Sequence, residues 1–499
     1  MESAKVASVE PATRAEVAAI LREQNQSFGG DAAALANIDR FAGGAVAVVT
    51  GQQVGLFTGP AYAIYKALGA VAMARWLTGQ GINAVPVFWM ATEDHDLAEV
   101  NHCTFISAKG VSAKGQTQRF DLPDGEGASV GAIALGPTIS HVVRQAAASL
   151  EGADAESVAD ALRAAYTPDA NYGLAFARLM ARLLAGHGLI LLDPLDARLH
   201  RLAQPLYSRA IEHSDACISA LLARNKELEG AGFHAQVKVT STSTLLFLRR
   251  DAKRLPIRRK NDAFVASAKS FSRDELLALA AREPESFSAN ALFRPVVQDA
   301  LLPTAAYLGG PAEIAYLAQS GVLYDQLGVR RPVVLPRPSF TLIEPYIARL
   351  MKKYGLVVED WFAGRQHVLR KMEAAFLPQK VEHRFAGGEK ALRATLEKLR
   401  DPLGALDPTL LGALDNATKK ISYQHAKLRA RAARAAAFRK GVIERHEAAL
   451  TASLFPHHAP QERTACLAPF LARHGSGLLD ELLSRIAPDT LSQHHVLSL

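Results

Sequence analysis

The first three quarters of the chain alternate short apolar runs with longer amphipathic stretches. The apolar runs have the length of strands and cover 45–49, 85–91, 188–194 and 332–336. The amphipathic stretches predict helices over about 11–40, 60–78, 140–165 and 171–186, and a hairpin is predicted from 234–240 and 244–249. Buried strands that alternate with helices are typical of a mostly parallel sheet covered on both faces. The pattern therefore predicts an α/β core.

Beyond about residue 375 the composition shifts to Ala, Arg, Lys, Glu and Leu. Apolar residues recur every seven positions, at Leu414, Ile421, Leu428, Ala435, Val442 and Ala449. The second apolar position of each heptad is mostly polar, so the repeat is half of a coiled-coil seam. Together with a helix at about 387–400, it predicts an antiparallel helical hairpin that packs against another chain or against the core.

These patterns divide the chain into three parts. The core covers 1–375 and contains insertions at about 105–137 and 235–290. A helical coiled-coil arm covers 376–453, and a segment over 454–499, with a last helix near 477–487, is expected to pack back on the core. With 499 residues, about half of them apolar, the chain can bury a large core and more than one domain.

Composition favours a cytoplasmic protein. No apolar run approaches the roughly 20 residues that span a bilayer, so we expect no membrane partner, and Met1–Glu10 lacks the apolar core of a signal peptide. Cys103, Cys217 and Cys466 are too far apart to indicate a disulfide framework or a metal site.

The net charge of +8 is local to one helix. The stretch 419–445 holds nine basic residues and one acidic residue, which accounts for the whole surplus. The charge therefore describes that helix, as a solvated face or a partner of acidic surface, and nucleic acid is not indicated as a partner. The alternative is that the helix touches a nucleotide or another polyanion.

A glycine-rich segment follows the first apolar run. It contains Thr50, Gly51, Gln52, Gln53, Thr58, Gly59 and Pro60, with Lys66 further on. Glycines permit close approach of a ligand, and Pro60 is predicted to start a helix. A strand, a turn and a helix start together form a nest of N–H groups that suits a phosphate or a carboxylate. The segment matches neither the P-loop nor the dinucleotide fingerprint, and the alternative is a well-capped strand-to-helix connection.

An acidic cluster follows the second apolar run. It consists of Glu93, Asp94, His95 and Asp96, with Glu99, Asn101 and His102 downstream. Such groups can contact a substrate or a magnesium-bound nucleotide, or perform acid–base chemistry. His95 and His102 are seven positions apart and would share one helical face if the segment is helical. The alternative is that Asp94 caps the next helix and His95 forms local hydrogen bonds. The spacing does not indicate a dedicated transition-metal site.

Two further segments carry candidate binding residues. The stretch 288–316 contains Asn290, Arg294, Gln298, Gly310, Glu313 and Tyr316. Its Gly309-Gly310-Pro311 turn predicts a helix start, where Glu313 would compete with a bound anion. The alternative is a buried polar network that braces two subdomains. Arg337 follows the last strand, where it would clamp a phosphate or carboxylate or else pair with Glu344.

The candidates converge on one edge of the predicted sheet. In parallel sheets, ligands bind beyond the carboxyl ends of the strands. Those ends carry Gly51 to Gln53, Glu93 to Asp96, Asp193 and Arg337. The sequence therefore predicts a single cleft at this edge.

Several motifs resemble the cysteine ligase family of bacillithiol biosynthesis, the BshC family. They are Thr50-Gly51-Gln52-Gln53 to Gly59-Pro60, Val85 to Trp89 with Glu93-Asp94-His95-Asp96, Asn290 with Arg294 and Gln298, Gly309-Gly310-Pro311 with Glu313 and Tyr316, Pro336-Arg337, and Gln461-Glu462-Arg463. The resemblance implies a Rossmann-like core with inserted connective segments and a coiled-coil arm that forms a homodimer. Many relatives have His where this chain has Tyr65, which argues against imidazole chemistry at that position.

The implied activity is the addition of L-cysteine to glucosaminyl-malate, the last step of bacillithiol biosynthesis. Because an amine does not displace hydroxide from a carboxylate, we expect activation by ATP, with Mg²⁺, through acyl-phosphate or acyl-adenylate. The loop, Lys66 and Arg337 would hold phosphate, and His95 would accept a proton. The alternatives are a non-catalytic nucleotide- or thiol-binding partner in a biosynthetic complex and a metal hydrolase built on Asp94, His95 and His102.

Overall fold

The computed structural model describes residues 7–107, 117–122, 128–250, 253–438 and 442–499, without the side chain of Phe438. Part of the predicted insertion at 105–137 therefore lies outside the described residues, as do Arg439 and Lys440 of the basic stretch. The chain forms two compact units. The first holds the described residues up to Phe340 apart from Thr117, together with Glu462–His495, and the second holds Thr341–Gln461 and Val496–Leu499.

A parallel sheet forms the centre of the first unit. Its strands are β1 (Val46–Gln52), β2 (Ala84–Met90), β5 (Ile190–Leu192), β11 (Thr304–Gly309) and β12 (Val333–Pro336). They lie in the order β12-β11-β1-β2-β5, and every neighbouring pair is parallel. Strand β1 is almost wholly buried, because helices cover both faces of the sheet. The predicted α/β class with a Rossmann-like, mostly parallel sheet is confirmed.

The register of β1 against β2 explains one glycine of the loop. Gly51 lies opposite Trp89, and a Cβ atom at Gly51 would be 2.7 Å from the carbonyl oxygen of Trp89. Only glycine fits this close approach of two backbones. Gly51 therefore brings the end of β1 against β2.

A second sheet is antiparallel and covers part of the predicted second insertion. Its strands are β6 (Leu246–Arg250), β7 (Lys253–Lys260), β8 (Ala263–Ala266), β9 (Lys269–Phe271) and β10 (Phe287–Ala289), in the order β10-β6-β7-β8-β9. The smaller pairs are β3 (His102–Ile106) with β4 (Thr117–Asp121), and β13 (Ser339–Ile343) with β14 (His494–Ser498).

The helices of the first unit surround these sheets. They are Pro11–Ser27, Ala32–Ala42, Tyr62–Gly79, Thr138–Ser149, Ala155–Ala165, Tyr172–Leu183, Ala197–Glu212, Ser214–Gly230, Arg273–Arg282, Arg294–Leu301, Pro311–Leu327, Ala468–His474 and Gly477–Ser484, and Gln461–Thr464 lies at the boundary of the units. Apolar residues of both sheets share one core with helices such as Pro11–Ser27, Ala197–Glu212 and Pro311–Leu327. Among the described residues, no helix combines the length and the apolar character needed to cross a bilayer.

The structure corrects four local predictions. Strand β11 was missed, because its two alanines and its Gly-Gly end do not resemble a buried strand. The predicted hairpin is wrong, because 234–240 forms no strand and β6 pairs with β7 instead. The helix predicted over 140–165 is two helices, which Gly152 at φ 122° separates. Pro60 does not start the next helix, which begins at Tyr62 after a turn.

The second unit is helical. Its helices are Pro345–Tyr354, Arg365–Ala374, Gln379–Glu397, Arg400–Leu406, Leu410–Phe438 and Ile443–Leu454. An apolar cluster around Leu350, Trp361, Met372 and Leu450 forms its own core. The C-terminal coiled-coil prediction is confirmed.

The helices Gln379–Glu397 and Leu410–Phe438 of this unit form an antiparallel hairpin, and neighbouring helices contribute to its ion pairs. Near its base, Glu373 meets Arg434, and towards its tip Asp415 meets Arg400. Between them, Arg429 forms two hydrogen bonds to Glu382. Part of the basic stretch therefore pairs with acids of the same hairpin, whereas Ile421 and Leu428 of the heptad stripe are 37% and 59% exposed.

Candidate active site

The carboxyl ends of the parallel strands meet at one cavity of about 610 Å³. The predicted residues that line it are Gly51, Gln52, Gln53, Lys66, Glu93, Asp94, His95, Asn290, Arg294, Gly310, Glu313, Tyr316 and Arg337. These residues come from segments up to 286 positions apart, and the parallel order of the strands brings them together. The cavity has the size of a small-molecule site.

Five predicted residues lie elsewhere. The hydroxyl of Thr50 donates to the carbonyl of Leu308 and holds β1 to β11. Thr58 and Gly59 form a buried turn with φ of 73° and 68°, and Asp96 is exposed outside the cavity. Gln298 is fully buried behind Arg294. The loop therefore meets the cavity through Gly51, Gln52 and Gln53 only, among the residues predicted there.

Lys66 lies at the base of the cavity and is 1% exposed. Its Nζ donates to the carbonyl of Gly51 (2.7 Å), to Oε1 of Gln52 (2.9 Å) and to Glu313. Its three donors are thus used within the protein. Burial lowers the pKa of Lys66, and the carboxylate of Glu313 opposes that shift. The lysine ties the β1 end to the helix that follows β11.

Glu313 receives donors from three directions. Besides Lys66, the N–H of Gly310 and the hydroxyl of Tyr307 each donate to it at 2.7 Å. Burial raises its pKa, but Lys66 and these hydrogen bonds outweigh burial, so the pKa lies below its usual value. The helix start predicted at Gly309-Gly310-Pro311 forms as expected, and Glu313 itself occupies its N-terminus.

Arg294 lies beside this network. Its guanidinium donates to the hydroxyl of Tyr316 and to Oε1 of Gln298, both at 3.0 Å. Gln298 in turn donates to Asp299. The segment 288–316 therefore builds a buried polar network, as one of the two predictions for it stated, and the same network faces the cavity.

Asn290 mainly shapes the backbone. Its side-chain oxygen accepts from the N–H groups of Leu292 and Phe293, and its amide donates to the carbonyl of Thr244. The residue connects the turn before the helix Arg294–Leu301 to the start of β6.

Arg337 follows β12 and pairs with Glu462, whereas Glu344 was the partner considered from sequence. The two carboxylate oxygens accept from Nη1 at 3.0 Å and from Nη2 at 2.7 Å. Glu462 also accepts from the hydroxyl of Ser339 and the N–H of Phe340. The bidentate geometry fixes the guanidinium at the cavity wall.

The acidic cluster after β2 is not helical. The chain forms only a 3₁₀ turn over Leu97–Glu99, so Asp94 caps no helix and His95 shares no helical face with His102. Asp94 accepts from Gln53 (2.8 Å) and from the N–H of His95 (2.7 Å). Within the described residues, no three His, Cys, Asp or Glu side chains form a group that could hold a metal ion.

Glu93 lines the cavity but lies largely buried. Its side chain is 14% exposed, and its Oε1 atom is buried without a hydrogen-bond partner. Burial raises the pKa of Glu93 to about 7, against the opposing effect of Arg249 and Arg254. A carboxyl group with such a pKa can exchange a proton near neutrality.

Sequence reasoning missed the far wall of the cavity. It consists of Lys238, Phe247, Arg254 and Arg258, and Arg463 lines another side. Arg254 lies over the ring of Phe247 at 4.1 Å and donates to Ser288 and to the carbonyl of Ala289. The alternation of buried and exposed residues along β7 is the signal in the sequence that predicts a strand here. It does not show that the hairpin of β6 and β7 lies beside the ends of β1 and β2.

Fold and site together define a Rossmann-like protein with a basic, carboxylate-bearing cavity at the carboxyl edge of its sheet and a separate helical unit. The family described as "Bacillithiol biosynthesis BshC, N-terminal Rossmann-like domain" matches residues 2–338, and "Bacillithiol biosynthesis BshC, C-terminal coiled-coil domain" matches residues 340–499. The chain belongs to the BshC family.

Three relatives show how far the similarity extends. The chain is 44% identical to a protein of Koribacter versatilis over 98% of its own length and 90% of the relative's. It is 40% identical to one of Solibacter usitatus (94% and 86%) and 35% identical to one of Salinibacter ruber (99% and 90%). Each of these relatives carries the name "Putative cysteine ligase BshC".

Proposed function

We propose that the chain is a ligase that joins L-cysteine to glucosaminyl-malate in the last step of bacillithiol biosynthesis, and that ATP activates the cysteine carboxylate. Membership of the BshC family supports the pathway. The observation that carries the site assignment is the cavity lined by Glu93 and Asp94 and by the cations Lys238, Arg254 and Arg258. The cysteine carboxylate, the malate carboxylates and the nucleotide phosphates are negatively charged, and this wall is basic.

The cavity residues fit a nucleotide. Lys66 and Arg337 each already hold a carboxylate, so we assign phosphate binding to the exposed cations Lys238, Arg258 and Arg463. Positive groups around phosphate stabilise the charge of phosphoryl or nucleotidyl transfer. Mg²⁺ commonly uses one or two protein carboxylates plus phosphate oxygens, a role that Asp94 suits.

The segment that follows β2 supplies the candidate groups for acid–base chemistry. The attacking amine must lose a proton, and Glu93, Asp94 and His95 all line the cavity. Gln53, which holds Asp94, fixes the position of this segment against β1. The same reaction is compatible with acyl-phosphate and with acyl-adenylate activation.

The exposed heptad stripe supports a homodimer through the arm. Ile421, Leu428 and Ala435 lie on one line of the helix Leu410–Phe438 and are exposed in the single chain. A second copy of the stripe would bury them as a coiled-coil seam.

The direct test supplies ATP, L-cysteine and glucosaminyl-malate and follows bacillithiol by mass. Formation that depends on all three supports the proposal, and the nucleotide product, ADP or AMP, identifies the route of activation. A Gln53→Ala, Asp94→Ala double variant should lose the activity, whereas Glu212→Gln, an exposed carboxylate on the surface, should keep it. Binding of the ligands without ATP consumption would instead support the non-catalytic partner.

A further inference from the structure

Glu93 lines the cavity with a largely buried carboxyl group. Its Oε1 is buried without a hydrogen-bond partner, although its neighbour Asp94 accepts two hydrogen bonds. Most buried polar atoms in folded proteins have a hydrogen-bond partner, and a catalytic role is one explanation for an atom that lacks one.

The nearest polar neighbour is His200, on the helix Ala197–Glu212. Its Nε2 lies 3.7 Å from Oε1 of Glu93 and 3.3 Å from Nη2 of Arg249. A guanidinium can only donate, so Nε2 of His200 is the acceptor of that bond. The ring proton then belongs on Nδ1, which faces the hydroxyl of Tyr207 at 3.1 Å.

His200 is consequently neutral. The ring is 2% exposed, and burial, together with Arg249, lowers its pKa to about 3. A neutral ring with its lone pair on Nε2 gives no proton to the carboxylate of Glu93. That lone pair already accepts from Arg249, so the ring offers Glu93 neither a donor nor a second acceptor, and Oε1 stays without a hydrogen bond.

The remaining charges come from several elements. Asp193, at the end of β5, acts against ionisation of Glu93, whereas Arg249 on β6, Arg254 on β7 and Arg294 favour it. These cations also disfavour permanent residence of a substrate ammonium group beside Glu93. The site therefore suits transient transfer of a proton better than static recognition of a cation.

The other candidate bases are less suited. His95 is 49% exposed, and its Nδ1 faces the guanidinium of Arg254 at 3.3 Å. Asp94 already accepts from Gln53 and from the backbone. Glu93 differs from both, because it lines the cavity, is 14% exposed and has one carboxylate oxygen without a hydrogen-bond partner.

We propose that Glu93 takes the proton from the attacking amine, and that His200, whose neutral ring packs beside Oε1 without donating to it, is a positioning residue that keeps this oxygen free of a donor. This role rests on the proposed function. As the amine nitrogen bonds to the activated carbonyl carbon of cysteine, one N–H proton passes to the carboxylate of Glu93. The C–O bond to the phosphate group breaks, and its electron pair leaves on the phosphate oxygen. The product is the amide, the freed phosphate group and a protonated Glu93.

Hydroxylamine separates this step from activation. It is an unprotonated nucleophile at neutral pH, so it traps an activated carboxylate as a hydroxamate without help from a base. With ATP and cysteine, Glu93→Gln should form hydroxamate within about twofold of the wild-type rate. With glucosaminyl-malate, it should form amide about 100-fold more slowly, as expected for loss of a general base. Glu93→Asp should recover part of the amide rate.

The outcomes are distinct. If the wild type forms neither product, the proposed function fails and this role fails with it. If the wild type forms both and Glu93→Gln forms amide at the wild-type rate, Glu93 is not the proton acceptor. Equal loss of hydroxamate and amide in a folded Glu93→Gln variant also overturns the role, because it places Glu93 in activation. Glu212→Gln is the matched control on the surface of the helix that carries His200.

A second variant tests His200 through the pH profile. His200→Gln places an amide donor beside Oε1 of Glu93 and stabilises the ionised carboxylate, so the rising limb of the amide-forming rate should move to lower pH while the KM values for cysteine and ATP stay within about twofold. A lower rate with an unshifted limb would show that His200 acts only in packing.

Discussion

Arg337 and Glu462 lie 125 residues apart in the sequence and form a bidentate ion pair whose side chains are 8% and 7% exposed. The pair joins the end of β12 to the segment that returns to the first unit. An arginine that looks free in sequence is thereby committed to a partner from a distant segment.

Glu462→Gln should destabilise the protein by about 3–5 kcal/mol, because it leaves the guanidinium of Arg337 buried without its counter-charge. The measurement is urea unfolding followed by circular dichroism. Glu481→Gln is the control, since Glu481 meets Arg485 only at 3.9 Å on the surface and should cost less than about 1 kcal/mol. Equal effects of the two variants would contradict the structural role of the buried pair.

Glu313→Gln should destabilise the protein by a similar amount, about 3–5 kcal/mol at pH 7, because it leaves Lys66 buried without its carboxylate. The pKa of Glu313 lies below its usual value in the folded protein, so its contribution is present above the unfolded pKa and is lost as the pH falls through the folded pKa. The difference between wild type and variant should therefore shrink in acid. Unfolding curves from pH 7 to pH 3 would show it, and a difference independent of pH would argue against the ion pair.

Glu93→Gln should have the opposite sign. The folded protein raises the pKa of Glu93 from 4.5 to about 7, so the native state binds the extra proton between those values and wild-type stability falls as the pH rises through that window. Above pH 7 the variant should be more stable by up to about 3 kcal/mol, at roughly 1.4 kcal/mol per pKa unit. Below pH 4.5 the two proteins should unfold alike. A variant less stable at pH 8 would indicate that the ionised carboxylate has partners that stabilise it.

Ile421→Glu combined with Leu428→Glu should convert a dimer to a chain of 53.6 kDa, because the substitutions place four like charges in the shared seam. Sedimentation velocity measures the change. Lys419→Glu adds an acid to an exposed position off the stripe and should leave the mass unchanged. A wild type that sediments as a single chain at micromolar concentration would exclude the dimer.

The sequence sufficed for the sheet edge and for much of the site, because the rule that ligands bind beyond the carboxyl ends of parallel strands depends only on which residues follow each strand. Glu93, Gly51 and Arg337 were located in this way. The rule did not reveal which charges neutralise one another. Lys66 and Glu313 are 247 residues apart, and nothing local in either segment indicates the other.

The missed residues have a common physical cause. Tyr307 lies on β11, whose burial comes from neighbours on both sides rather than from its own composition. His200 lies inside a helix where its polarity resembles a solvated face, although tertiary packing leaves it 2% exposed. Tertiary packing determines the burial of both residues, and this packing cannot be inferred from the local sequence around either one.

The hydrogen bond from Thr50 to Leu308 joins residues that the ribosome makes 258 positions apart. At about 5–20 residues per second, β1 waits on the order of tens of seconds for β11. During that time its apolar edge can pair with other nascent chains. More chaperone, which shields the unpaired edge of β1 during that time, should therefore raise the folded yield in a heterologous host.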